Sequence, residues 1–172
     1  GPCSRPGARA APEHSAKLGL VAPNITYGNG TYQKSIDDFP TLTSKIFRYF
    51  NLRALEEAES NDERVQKDVD YAISAFWVFP TSVLAKVGPL DERIFYAPED
   101  IDFCLRIWLG GYRIQYTPSI TIVHHAQEIS RKSIFSRSMR SHIAGLVYYF
   151  FKHGYFFSVR RLRKRISLAS QN

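Results

Sequence analysis

The stretch PEDIDFCLRIWLGG, residues 98 to 111, constrains the fold more than any other part of the chain. Pro98 presets φ for a first helical turn and the Gly110–Gly111 pair ends the run, so the spacing predicts a helix between them. Ile101, Phe103, Leu105, Ile107 and Trp108 make that helix mostly apolar, which places its start near a packed interior. Strand patterns flank it. VDYAISAFWVF before it reads as a buried strand, and YRIQYT and SITIVHH after it read as two short strands. Strands around an apolar helix imply a mixed α/β fold.

The remaining segments fit that class. Residues 1–16 are small, Pro-rich and unpatterned, and read as irregular. KLGLVAP predicts a short strand stopped by Pro23. NITYGNGTYQKS alternates around Asn29-Gly30, a dipeptide that favours positive φ at both turn positions of a tight hairpin. Asn24 and Asn29 also begin N-glycosylation sequons, although nothing in the sequence indicates secretion. PTLTSKIFRYFNLRAL has helical spacing, with Thr41 or Thr43 as its N-cap. EEAESNDERVQKD reads as a charged loop, PTSVLAKVG as a helix opened by Pro80 and closed by Gly88, and the chain from about 133 as helical again.

With 172 residues and 44% hydrophobic content, the chain is long and apolar enough for about one domain with a real core, which excludes a disordered chain. Two cysteines, Cys3 in an irregular start and Cys104 in an apolar helix, argue against a disulfide framework and for a reducing compartment. No apolar N-terminal segment resembles a signal peptide. The net charge of +7 is uneven, because from position 129 onward there are ten Lys or Arg and no acid. The basicity therefore concerns the partner of the C-terminal segment.

Glu99, Asp100 and Asp102 fall in or beside the first turn of the apolar helix, and His124 and His125 end the strand pattern that follows. One reading is macrodipole complementarity, in which acids stabilise the helix N-terminus by a few tenths of a kcal/mol each, and the histidines are satisfied edge residues. The other is a cleft site, because ligand sites collect at the carboxyl ends of strands.

At this point the sequence resembles a known family. The ordered set KVGPLDERIF, PEDIDFCLR, GYRIQYTP and IVHH is similar to the C-terminal half of family 2 glycosyltransferases with the GT-A fold, closest to rhamnosyltransferase-like and galactofuranosyltransferase-like members. The resemblance spans about residues 18–155 and implies an α/β, Rossmann-like partial GT-A domain followed by C-terminal amphipathic helices. The domain limits it implies are 17–130 for the acceptor-side part and 131–172 for a basic, aromatic helical tail. It implies an inverting, nucleotide-sugar-dependent transfer in polysaccharide or cell-envelope glycan biosynthesis. It further implies Asp100 as general base with Glu99 as its acidic neighbour, Asp102 and Arg106 on the substrate side, and His124 as ligand of a divalent metal, Mg²⁺ or Mn²⁺. His125 would stand behind that metal site. Expected partners are a nucleotide-sugar donor, a glycan or lipid-linked acceptor and a separate donor-binding half.

The donor half of the family, with its D-x-D motif, has no counterpart before Lys17. Apart from Asp100-Ile101-Asp102 in the acidic block, the only such triplet is Asp68-Val69-Asp70, which precedes a strand pattern where the family's motif follows one, and reads as a loop end. The chain is therefore expected to be a fragment or one part of a split enzyme. The alternative is a non-catalytic, membrane-associated remnant or binding module.

The C-terminal segment HIAGLVYYFFKHGYFFSVRRLRKR joins an apolar aromatic run to Arg160, Arg161, Arg163, Lys164 and Arg165. Its uninterrupted apolar stretch, 143–151, is short of the ~20 residues that span a bilayer. Two readings stand: a helix lying on an anionic membrane surface, peripheral at the inner face of the cell membrane, or a core helix with a solvated basic end. Nucleic acid is not expected as a partner, because no recognition motif accompanies the charge.

Overall fold

A computed structural model describes residues 16–50, 65–95, 97–125 and 137–171. The order is β1 (Lys17–Thr26), β2 (Ile36–Asp37), α1 (Leu42–Phe50), β3 (Lys67–Asp68) and β4 (Tyr71–Ala72). There follow α2 (Thr81–Val87), α3 (Glu99–Leu109), β5 (Tyr112–Val123), α4 (Arg137–His153) and α5 (Arg160–Ala169). Two sheets form: a three-stranded one in the order β1-β5-β3 and a two-stranded one pairing β2 with β4. β1 and β5 run parallel, whereas β3 lies antiparallel to β5 and β2 antiparallel to β4. The fold is mixed α/β with a parallel pair at its centre.

Two expectations about strands are corrected. Pro23 does not stop β1, which runs on to Thr26. β1 lies at the edge of its sheet, where a missing N–H leaves no ladder partner unsatisfied. YRIQYT and SITIVHH form one strand, β5, despite Pro118. The register passes from Pro23 opposite Thr117 to Asn24 opposite Thr121, so residues 118–120 bulge out of the pairing with β1 and accommodate the proline. A second irregularity lies at Gly19, where a Cβ would come within 2.5 Å of Tyr112 Cβ.

VDYAISAFWVF is likewise not one strand. β4 ends at Ala72, a turn follows, and Val78 returns to bridge Val21 of β1 through two backbone hydrogen bonds of 2.9 and 3.0 Å. The chain changes sheets here: β3 pairs with β5, and β4 with β2. The hairpin after β1 exists, but its turn is Tyr27–Gly30, closed by Gly30 N–H to Tyr27 O at 2.9 Å. Only Gly30 there has positive φ, at 81°. Asn29 instead uses Oδ1 to accept from the Thr31 amide and hydroxyl.

Local helix signals hold. Thr41 caps α1: its Oγ1 accepts from Ser44 N–H at 3.1 Å, and Ser44 Oγ accepts from Thr41 N–H at 2.9 Å. Gly88 closes α2 with φ 78°, and α3 ends at Gly110 and Gly111 as the spacing predicts. α3 is the hub of the core. It packs on β5, β4, α2 and α5, with Phe103, Cys104, Leu105 and Ile107 essentially inaccessible to water. Trp108 Nε1–H donates to the carbonyls of Val69 and Asp70 at 3.2 and 3.1 Å, fixing α3 to the β3–β4 connection. Cys104 is a free, buried thiol, as expected, while Cys3 lies outside the described residues.

The C-terminal helices enter the same core. Tyr149 and Phe150 of α4 and Leu162 and Ile166 of α5 are buried. Arg163 grips Asp70 with both guanidinium nitrogens, at 2.5 and 2.6 Å, and Arg165 donates to His153 O at 3.0 Å. The apolar side of α5 is thus used inside the protein, and two of the five clustered cations are engaged there. For α5 this is the arrangement of a core helix with a solvated basic end. Among the described residues, no helix is long and apolar enough to cross a membrane.

Candidate active site

The start of α3 brings three acids together in one turn, and the structure treats each differently. Glu99 folds back and accepts a hydrogen bond from the Ala97 backbone N–H. Ala97 has φ 65°, uncommon for a residue with a side chain, and Gly145 of α4 packs against it: a Cβ there would lie 2.5 Å from Ala97 O. α4 can cross the start of α3 this closely only because position 145 carries no side chain.

The Asp100 carboxylate is bonded by backbone amides, the N–H of Ile101 at 2.8 Å and its own. Burial first, and then the neighbouring charge of Glu99, raise its carboxyl to about 6, against weaker opposition from the Ile101 amide and from Lys45 of α1. A macrodipole acting alone would have lowered it. Lys45 also helps burial to hold His142 of α4 below the usual imidazole range. α1, α3 and α4 therefore converge around Asp100. Lys45 and His142 had no local signal in the sequence, because nothing in their own segments indicates an acid on α3.

Asp102 is fully enclosed. Its Oδ1 accepts from His153 Nε2 at 2.8 Å and faces Lys152 Nζ at 2.7 Å, while Oδ2 accepts from Arg106 Nε at 3.0 Å. Burial pushes this carboxyl up, but the hydrogen bonds from His153 and Lys152 and the Arg106 charge outweigh it and hold the group below its ordinary value. Arg106 spends its other nitrogens on the carbonyls of Val87, Gly88 and Pro89, at 2.5, 3.1 and 2.8 Å. Lys152 continues the network to Asp91 at 2.7 Å, where Arg93 and the Tyr148 hydroxyl also bind. These contacts lock α2, α3 and α4 together, and they occupy both groups of the expected substrate side with protein partners.

His124 stands apart from the acids. Its backbone N–H donates to Thr26 O at 2.8 Å, and its Nδ1 lies 3.0 Å from Gln33 Oε1. With that Gln33 oxygen as acceptor, Nδ1 carries the proton and Nε2 keeps a free lone pair, the arrangement of a metal-ready imidazole. The His125 ring packs on Gly28, where a Cβ would meet it at 2.7 Å. Among the described residues, however, no three His, Cys, Asp or Glu side chains gather as a cation requires. The described residues do not by themselves fit a divalent metal. Asp68 and Asp70 answer to Arg113 and Arg163, and the reading as a loop end is corrected for Asp68, which ends strand β3, while Asp70 lies between β3 and β4.

Comparison with known proteins gives a glycosyltransferase-like relationship. The chain is 31% identical over 111 residues to the rhamnosyltransferase WbbL of Escherichia coli (strain K12). That match covers 63% of this chain and 41% of that protein, so the chain spans less than half the length of the relative it matches. No family model matches.

Proposed function

We propose that the chain is the acceptor-side part of an inverting, family 2 glycosyltransferase of the GT-A fold, acting in polysaccharide or cell-envelope glycan synthesis. The observation that carries this reading is the similarity to a rhamnosyltransferase over 111 residues. Asp100 supplies the chemistry. Its midpoint of about 6 leaves the carboxylate mostly ionised at neutral pH, and basic enough to accept a proton. In the proposed step Asp100 takes the proton of an acceptor hydroxyl as that oxygen bonds to the anomeric carbon of a nucleotide sugar. The bond from that carbon to the nucleotide diphosphate breaks, and the diphosphate leaves with the electron pair. Glu99 keeps Asp100 basic through its charge, and Asp102 with Arg106 holds the helix that presents it.

The donor half and the remaining ligands of a divalent metal, to which His124 would contribute Nε2, belong to this proposal. So does peripheral placement at the inner face of the cell membrane. The second reading, a non-catalytic binding module, draws on the closed network around Asp102 and Arg106.

Replacing Asp100 with Asn in the enzyme assembled with a donor-binding half tests the choice. The change is nearly isosteric but removes the proton acceptor. Turnover should fall ~10²- to 10⁴-fold with donor affinity little changed. Parental turnover in a folded Asp100→Asn enzyme would sink the assignment of the base.

A further inference from the structure

We propose that the outer face of α4, continued through Phe157 to the start of α5, is a docking surface for an anionic lipid bilayer. The proposal deepens the peripheral placement suggested above but does not need the transfer chemistry.

α4 is apolar on two faces. The inner one is used by the core through Tyr149 and Phe150 and by the close approach of Gly145 to Ala97. The outer one is not. Ile143, Val147 and Phe151, spaced i, i+4 and i+8 along one side of the helix, are 51%, 51% and 71% exposed. Beyond the helix end, the Phe151 ring packs edge-on against Phe156 at 5.3 Å, and Phe156 reaches Phe157 at 6.3 Å. Phe157 is itself 70% exposed. An aliphatic stripe thus runs into an aromatic ridge, and a surface of that length is unusual on a chain with no use for it.

The charges beside the ridge select the occupant. Arg160, Arg161 and Lys164 are exposed at the start of α5, and Arg140 is exposed at the other end of the stripe. Among the described residues no acid pairs with Arg160, Arg161 or Lys164, whereas Arg163 is committed to Asp70. A second copy of the chain, meeting face to face, would set this basic rim against itself, because a two-fold interface apposes each patch with its twin. Free nucleic acid would satisfy the cations but leave the stripe in water. A bilayer with anionic headgroups answers both features, with rings at the acyl boundary and cations at the phosphates. The contact lies on the apolar run 143–151 that the sequence singles out, now narrowed to the outer face of α4, because its inner face and the apolar side of α5 are in the core.

The test is co-sedimentation of the full chain with phosphatidylcholine vesicles and with vesicles that also contain phosphatidylglycerol. Partitioning should require the anionic lipid and weaken with salt. Arg160→Gln, Arg161→Gln and Lys164→Gln together should lower it on the order of 100-fold. Ile143→Ser, Val147→Ser and Phe151→Ser together should lower it at least ~10-fold. All six positions are exposed, and Phe157→Ser alone gives an independent reading should the apolar triple lose its circular dichroism spectrum. Equal binding to neutral vesicles, no binding to anionic ones, or variants that pellet like the parent would overturn the proposal. A parent chain that ignores vesicles but dimerises in the ultracentrifuge, and loses the dimer with Phe157→Ser, would assign the face to a second copy. Vesicle failure would leave the role of Asp100 untouched, and a parental Asp100→Asn turnover would leave this surface untouched.

Discussion

Asp100 and Asp102 lie two residues apart on the same turn of α3, yet the protein moves their carboxyls in opposite directions. Asp102 meets a histidine, a lysine and an arginine and is held below its ordinary value, whereas Asp100 meets backbone amides and the charge of Glu99 and is raised. Asp102 is fully enclosed and Asp100 only partly so, yet the more enclosed group is the one held down, so burial alone does not decide the outcome. The difference lies in what the neighbouring helices bring. α4 delivers Lys152 and His153 to Asp102, while at the turn before Asp100 it packs Gly145 on Ala97 and Pro98, which adds no partner. A poorly compensated carboxylate beside a well-paired one is what the proposed base requires of Asp100.

The largest expected effect comes from breaking the well-paired side. Asp102→Asn would leave Lys152 and Arg106 beside a group that cannot balance their charge. Removing one partner of a buried pair typically costs 3–5 kcal/mol, and because Lys152 keeps Asp91 the loss here should be ~3 kcal/mol in urea unfolding at neutral pH. The carboxyl of Asp102 is depressed in the folded protein. Its stabilisation is therefore present above the unfolded-state value of 3.8 and is lost as pH falls through the lower folded value. The gap between variant and parent should close in acid, and an undiminished gap there would mean that Asp102 acts through shape and not charge.

The poorly paired side predicts a change of the opposite sign. The folded-state carboxyl of Asp100, at about 6, lies above the unfolded value of 3.8, so its contribution is fully present below 3.8 and is lost as pH rises through 6. Asp100→Asn removes that penalty. A two-unit shift is worth ~3 kcal/mol at full value, and the remaining solvent contact of the side chain brings the expected gain to ~1–2 kcal/mol at pH 7. Below about pH 4 the variant and the parent should melt together. A variant that is less stable than its parent at pH 7 would place Asp100 among the structural acids, and the contrast with Asp102 would collapse.

This contrast was only half visible in the sequence. Pro98, Thr41, Gly88 and the Gly110–Gly111 pair act on their own neighbours, so the helix ends they set could be read directly. Pro23 and Pro118 misled, because a proline stops a strand only where a ladder partner needs its N–H. Which edge of β1 is paired, and where β5 bulges, is settled by the other strand. The apolar run 69–79 has strand composition throughout, and nothing local reveals that successive parts of it pair with different strands. For the site, the acids at the start of α3 were legible as a cluster, but their separate fates were not. Those depend on Lys152 and His153, some fifty positions away in sequence and brought in by α4.

The smallest expected effect separates the two causes that raise Asp100. Burial is the larger and the charge of Glu99 the next, so Glu99→Gln should remove the second while leaving the first. The amide keeps the size of the side chain, and its oxygen can still accept from Ala97 N–H, so the turn before α3 should hold and stability at pH 7 should change by less than about 1 kcal/mol. The carboxyl carbon of Asp100, followed by NMR from pH 3 to pH 8, should titrate with a midpoint lowered by less than about one unit from its parental value near 6. A return to the ordinary 3.8 would show that the neighbouring charge, and not burial, sets the group apart. An unmoved midpoint would show that Glu99 is turned away from Asp100 in solution. A partial drop keeps both causes and leaves Asp100 more basic than Asp102, which is what the proposed proton transfer requires of it.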